Sequence, residues 1–245
     1  MVRNVDYETR RRAVLAATIN KYIDEAMPVA SEDLAEDFDL SPATIRNILA
    51  ELEREGYITH PYTSGGRLPT SRGYRYYVDF LLAQMELLEA EKAHIVKEYN
   101  KEIRRLEEVL ERTSGVISMV THYAGIVSFV DWQDRIFYQG ISQILEHPEF
   151  KDYAHLRKII KLIEEKEHLL DIINRDFKEK VKVYIGDELA CPGMENCALV
   201  VSSYKLNNKS SGRLAVLGPQ RMEYRHAIPA LEYISEVLSE VLERI

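Results

Sequence analysis

The feature that most constrains this chain is the dipeptide Ser41-Pro42, two residues after one short apolar-periodic segment and at the head of another. Serine is a favoured helix N-cap, and proline fits the first helical position, where its missing N–H costs nothing. A helix is therefore expected from Pro42 through ATIRNILAELERE to Gly56, the residue type that ends helices in a left-handed conformation. Upstream, Ser31 reads as the N-cap of EDLAEDF, whose Leu34, Ala35 and Phe38 face a shared core. Asp39-Leu40 leaves room only for a tight turn. Before that, Val14, Leu15, Thr18, Ile19, Tyr22 and Ile23 recur at helical spacing through residues 7–26, closed by Pro28. Two short helices across a tight turn form a helix-turn-helix, whose second helix can enter a major groove.

Ile45, Leu49 and Leu52 follow i, i+4, i+7 and turn inward, leaving Ala43, Thr44, Arg46 and Asn47 on the outward N-terminal half. Arginine can bond guanine O6 and N7, asparagine adenine N6 and N7, and a threonine methyl can meet a thymine methyl. The helix N-terminus at Ser41 favours a phosphate. Glu51, Glu53 and Glu55 fall in the later half, away from a groove. After Gly56, YITH reads as a strand, PYTSGG as a turn and RLPT as the return, a β-ribbon of wing size. Ser64, Gly65 and Gly66 keep the tip small, so backbone N–H groups can approach phosphate or a minor groove. Tyr62 and Thr63 offer hydroxyls, Arg67 stands at the base, and Ser31 and Arg72 complete the expected backbone contacts. Between Tyr57 and Val78 there are Arg67, Arg72 and Arg75, one histidine and no acid. Winged helices also bind proteins, so the alternative is a protein-interaction or ligand-sensing regulator without specific DNA readout.

The 245 residues allow two domains, and 46% apolar with 29% charged residues and eight prolines describes a globular chain. No apolar run approaches a membrane span, and MVRNVDYETRRR has no apolar region behind its basic residues, so the expected address is the cytoplasm. A net charge of −8 argues against indiscriminate coating of nucleic acid but allows one local basic surface. Cys191 and Cys197 make no disulfide framework, and no histidine near CPGMENC completes a zinc set, so no metal or cofactor is expected. No phosphate-binding glycine loop, G-x-S-x-G or H-E-x-x-H motif is present, which speaks against an enzyme.

Three regions are expected: a winged helix-turn-helix over 1–78, a long connecting helix over 79–114, and an α+β domain with a mainly antiparallel sheet over 115–245. The connector lacks proline and glycine from Tyr76 to Thr113. Its Leu81, Met85, Leu88, Ile95, Tyr99, Ile103, Leu106 and Leu110 approximate a heptad, although Lys92 interrupts the seam. Packing on its own domain and pairing with a second copy are both open. THYAGIVSFV, RIFYQG, VKVYIGDE, CALVVSSYKL and GRLAVLGP read as strands, with VDWQD as a turn. ISQIL and YAHLRKIIKLIEEKEHLLDIINRDF read as helical, and so does the stretch from Tyr224 to Ile245 with Ile228, Leu231, Ile234, Leu238, Val241 and Leu242 inward. His147-Pro148-Glu149 reads as a turn, and Arg221 as a tie between loop and helix.

PVASEDLA and LSPATIRNILAELEREGYITHPYTSGGRLPTSRGYRYYVDFLL resemble the HrcA-type heat-inducible repressors. So do GISQILEHPEF and CALVVSSYKLNNKSSGRLAVLGPQRMEY, above all Gly218 to Tyr224. The chain departs from that pattern at Ile48, Tyr62 and Gly65, where the family carries glutamate, histidine and alanine. The resemblance implies a GAF-like C-terminal domain and a homodimer that binds double-stranded DNA at an inverted-repeat operator upstream of chaperone genes. It also implies activity coupled to a chaperonin. The family carries further strands and a dimerising subdomain before GISQILEHPEF, whereas here residues 131–139 cover that interval, so the chain resembles a shortened member.

Overall fold

The computed structural model describes residues 7–60, 66–82, 89–99, 106–129, 135–150, 157–158, 160–161, 166–175, 179–206 and 209–244. They form two units, Met1–Ala83 and Gln84–Ile245.

In the first unit, α1 (Tyr7–Glu25) buries Val14, Leu15, Thr18, Ile19 and Ile23. It packs against α2 (Ser31–Phe38), α3 (Pro42–Arg54) and α4 (Ser71–Leu81). Asp39 makes the turn between α2 and α3 in the left-handed region, φ 50°, which a short polar side chain tolerates, and its N–H closes α2 on the Ala35 and Glu36 carbonyls. Ser31 does not cap α2. Ala30 occupies the cap, and the Asp33 carboxylate reaches back 2.8 Å to accept from the Ala30 N–H, which leaves Ser31 inside the first turn and buried. Gly56 takes φ 79° after α3 ends, sending the chain into β1 (Ile58–Thr59), which pairs antiparallel with β2 (Leu68–Pro69). Two residues per strand are few. The ladder is widened by a bridge between Val29 and Arg67, with Val29 N–H to Arg67 O at 3.0 Å and the reverse bond at 2.8 Å. The Thr70 hydroxyl ties the stem on the other side: it lies 2.7 Å from the Gly56 carbonyl and 3.0 Å from that of Tyr57, and accepts from the Gly73 N–H to cap α4.

The second unit is α+β. Its five-stranded antiparallel sheet runs β4 (Ile136–Gln139), β3 (Ala124–Phe129), β7 (Lys209–Pro219), β6 (Cys197–Leu206), β5 (Val181–Ile185). Both faces are covered. Ile126, Ala215, Val201, Leu199 and Leu217 share one face with Ile144 of α7 (Ile141–Glu146) and Leu169 of α8 (Lys166–Ile173). Opposite them lie α6 (Leu106–Thr121) and α9 (Tyr224–Leu242), with the Ser202 hydroxyl 3.0 Å from that of Ser235 on α9. Along α9, Ile228, Leu231, Ile234, Leu238 and Leu242 are buried as expected, whereas Val241 is half-buried and Val237 is buried in its stead.

The expected connector over 79–114 comprises the end of α4, α5 (Glu89–Tyr99) and the first half of α6, with residues 83–88 and 100–105 outside those described. Ile95 of α5 is fully buried, and α5 packs against α6 and α9 of its own unit. Lys92, which breaks the heptad, pairs with Glu89 at 2.8 Å and lies over the Tyr233 ring. Met85, Leu88 and Ile103 lie outside the described residues, as does the VDWQD turn.

Candidate nucleic-acid interface

The geometry of α3 begins with its cap. Ser41 Oγ accepts from the Thr44 N–H at 3.1 Å and lies 2.9 Å from the Thr44 hydroxyl, so both hydroxyls are engaged in starting the helix. Ile45, Ile48, Leu49 and Leu52 are buried. Ile48 widens the inward stripe beyond the three positions the spacing selected, so an acid there would be unsolvated. Ser41, Ala43, Arg46 and Asn47 are exposed and Thr44 is half-buried, which gives one outward surface at the N-terminal end of the helix.

Acids and cations meet around that surface in a pattern the sequence did not display. Arg46 Nη2 lies 3.0 Å from Glu32 Oε1 on α2, with both side chains exposed. The Ser31 hydroxyl donates to the other Glu32 oxygen at 3.1 Å. The Glu32 backbone N–H, then Ser31, then Arg46 favour the charged form, and the Glu32 carboxyl titrates below its usual range. On the later half of α3, each glutamate accepts from elsewhere in the unit. The Tyr7 hydroxyl donates to Glu51 at 2.5 Å, which pushes the Tyr7 phenol upward. Glu53 meets His60 Nδ1 on one oxygen and forms an ion pair by proximity with Arg67, whose Nε lies 2.9 Å from the other oxygen without hydrogen-bond geometry, and Glu55 takes Arg11. These glutamates anchor α3 rather than merely avoiding a groove.

The stem arginines are engaged as well. Arg67 is held at the wing base by Glu53. Arg72 donates to the Glu55 carbonyl at 2.7 Å and stacks on the Tyr57 ring, 4.8 Å from its centre. Arg75 pairs with Asp79 at 3.5 Å. Although the sequence between Tyr57 and Val78 holds no acid, folding supplies acids from its flanks. Gly66 has a packing role: a Cβ there would stand 2.6 Å from the Pro28 carbonyl carbon. Tyr62, Thr63, Ser64 and Gly65 lie outside the described residues. Sequence reasoning missed Tyr7, Arg11 and Glu32. A carboxylate one position after a misassigned cap was the only local signal for Glu32.

In the second unit, Arg221 Nη2 lies 3.2 Å from His147 Nδ1, and the His147 ring stacks with Tyr123. This joins the turn at Pro148 to the segment before α9. Cys191 and Cys197 are free thiols, half-buried and buried. Among the described residues no group of histidine, cysteine or acid could hold a metal, and no helix is long and apolar enough to cross a membrane.

Two family models match. Residues 7–79 match the winged helix-turn-helix transcription repressor, HrcA DNA-binding domain, and residues 128–228 the HrcA protein C-terminal domain. Relatives called heat-inducible transcription repressor HrcA include those of Desulforudis audaxviator, 28% identical over 97% of this chain and 98% of the relative, and Geobacter sulfurreducens, 28% identical over 97% and 99%. The first alignment spans 339 positions against a chain of 245 residues, so at least 94 positions (339 − 245) of the relative have no counterpart here. A crystal structure of a hypothetical protein superposes with a TM-score of 0.81 at 18% identity, covering 96% of this chain and 98% of its own, a likeness of fold. With both halves matched to the same family, the chain belongs to the HrcA family of heat-inducible transcription repressors, in a shortened form, with an N-terminal winged helix-turn-helix DNA-binding domain and an α+β C-terminal domain.

Proposed function

We propose that this repressor reads an inverted-repeat operator of chaperone genes as a homodimer, with the N-terminal half of α3 in the major groove and the wing along the backbone. The observation that supports this most directly is the exposed pair Arg46 and Asn47 on a helix whose opposite face is anchored by four buried aliphatic residues. Arg46 and Asn47 contact base edges, Ala43 and Thr44 present methyl groups, and the N-terminus at Ser41 faces a phosphate. Tyr62, Thr63, Ser64, Gly65, Gly66, Arg67 and Arg72 follow the backbone. Ser31 leaves this set, because its buried hydroxyl is spent on Glu32. Two-fold pairing multiplies the specificity that one helix can supply. Action on a chromosomal operator confines the protein to the cytoplasm. Family membership supports coupling to a chaperonin; full recovery of DNA binding after heating, without chaperonin and without aggregation, would remove it.

The experiment is selection of bound duplexes from random DNA, followed by footprinting for two half-sites and a measurement of mass in solution. Arg46→Ala or Asn47→Ala should cost ~1–3 kcal/mol on the selected site and relax preference at one base pair. Equal losses on every duplex would sink the base-reading role.

One observation favours a protein partner at the same unit. An apolar groove of about 460 Å³ between α1 and α4 is lined by Ala13, Ala16, Asn20, Tyr76 and the exposed Phe80. Loss of repression on Phe80→Ser, with the fold and DNA binding intact, would tie that groove to a protein partner.

A further inference from the structure

Resting on the DNA-reading function above, we propose that Glu32 is a positioning residue for Arg46, holding its guanidinium in the orientation that reads a base, and that the buried Ser31 hydroxyl in turn fixes Glu32.

An exposed arginine is a long side chain with many rotamers, and a loosely held one loses freedom when it binds a base. Arg46 is 65% exposed, yet its Nη2 is fixed 3.0 Å from Glu32 Oε1 across the α2–α3 crossing. The contact is made through Nη2, and a guanidinium has five N–H donors in all, enough to serve a carboxylate and a guanine edge together.

The carboxylate is itself held. Its second oxygen accepts from Ser31 at 3.1 Å, and Ser31 is only 8% exposed. Glu32 lies in the first turn of α2, where the helix dipole favours negative charge, and its carboxyl stays ionised below the usual carboxylate range. Buried hydroxyl, ordered carboxylate and exposed guanidinium thus form one chain of contacts that ends at the outward surface of α3. A group held by a supporting contact binds in a set geometry, the general requirement for a precise site.

A competing role has the opposite sign. A carboxylate beside DNA repels phosphate and can withhold Arg46 from a base. If that effect ruled, removing Glu32 would raise affinity for all DNA.

The test uses the full chain as wild type, Glu32→Gln, Glu32→Ala, Arg46→Ala and the double variant Glu32→Ala/Arg46→Ala. Each is titrated with the tightest duplex selected from a random pool, with single-base-pair variants of that duplex, and with a scrambled one. Glu32→Ala should weaken binding to the selected duplex about three- to fivefold, the scale of an exposed ion pair, and Glu32→Gln should weaken it less. The base pair whose preference Arg46→Ala relaxes should also be relaxed by Glu32→Ala. In the Arg46→Ala background Glu32→Ala should change nothing further, whereas a general structural role would cost the same in both backgrounds. Unchanged thermal melting shows that the variants fold. Unchanged or raised affinity of Glu32→Ala for the selected duplex overturns the proposal, and so does an equal loss in both backgrounds. If the wild type does not distinguish selected from scrambled DNA, or Arg46→Ala relaxes no base pair, the DNA-reading function fails and the positioning role falls with it.

Discussion

In the five-stranded sheet every residue of β3 is buried, and Ala215 and Val216 of β7, next to it, and Val200 and Val201 of β6, beyond β7, have no exposed surface. The wing ladder has two residues per strand, and only Ile58 among the four is buried. One sheet is held by apolar area covered on both faces. The other is held by polar contacts at its edges: the Val29–Arg67 bridge, the Thr70 hydroxyl and the Glu53–Arg67 ion pair. The contrast teaches where each unit can change. Burial on the first scale resists rearrangement, whereas a ladder fixed by a few polar ties can keep its outer surface free for a ligand.

The largest test of that contrast is Leu231→Ala, at a fully buried position of α9. It should cost ~2–5 kcal/mol, read as loss of thermal stability. A cost below ~1 kcal/mol would show that the sheet unit does not depend on packing as described. Next comes Gly73→Ala. A Cβ there would stand 2.2 Å from the Tyr57 carbonyl oxygen, so α4 must move away from the wing stem, at a cost of ~1–3 kcal/mol. DNA affinity should fall with it. Retained stability would mean that the close backbone approach does not hold the stem. Ser41→Ala removes the cap of α3 and should cost ~1 kcal/mol in denaturant unfolding.

The smallest effect concerns pH. The Glu32 carboxyl is depressed by its own backbone N–H and by Ser31, with Arg46 adding to them. Whatever it contributes is therefore present above the unfolded value, about 4.3 for a free glutamate, and lost as pH falls through the lower folded value. Followed by NMR, the Glu32 carboxyl should titrate below that free value. A midpoint at or above it contradicts the contacts drawn for Glu32.

What could be read from the sequence was local. Ser41, Pro42 and Gly56 fix the ends of α3 through contacts within a few residues, and the i, i+4, i+7 spacing gave its inner face. The Ser31 assignment failed because two cap solutions compete in Ala30-Ser31-Glu32-Asp33, and the carboxylate three residues after Ala30 wins. Glu32 and Arg46 are 14 positions apart, and Glu53 and Arg67 are equally far, so their pairing exists only once helices cross and the stem folds back. Counting charges between Tyr57 and Val78 could not reveal it. The sheet order β4-β3-β7-β6-β5 was illegible for the same reason, since β3 pairs with β7 across most of the unit.

The two ends of the wing segment are clamped independently of what joins them. Thr70 and the Gly56 turn hold one side, while the Val29–Arg67 bridge and the close passage of Gly66 over Pro28 hold the other. Closing a longer loop between fixed ends costs little, about 0.6 kcal/mol per doubling of its length. The stem therefore works as a socket. Segments of other lengths or charges should be exchangeable between His60 and Gly66 without disturbing α3, so that the two parts of the unit can vary separately.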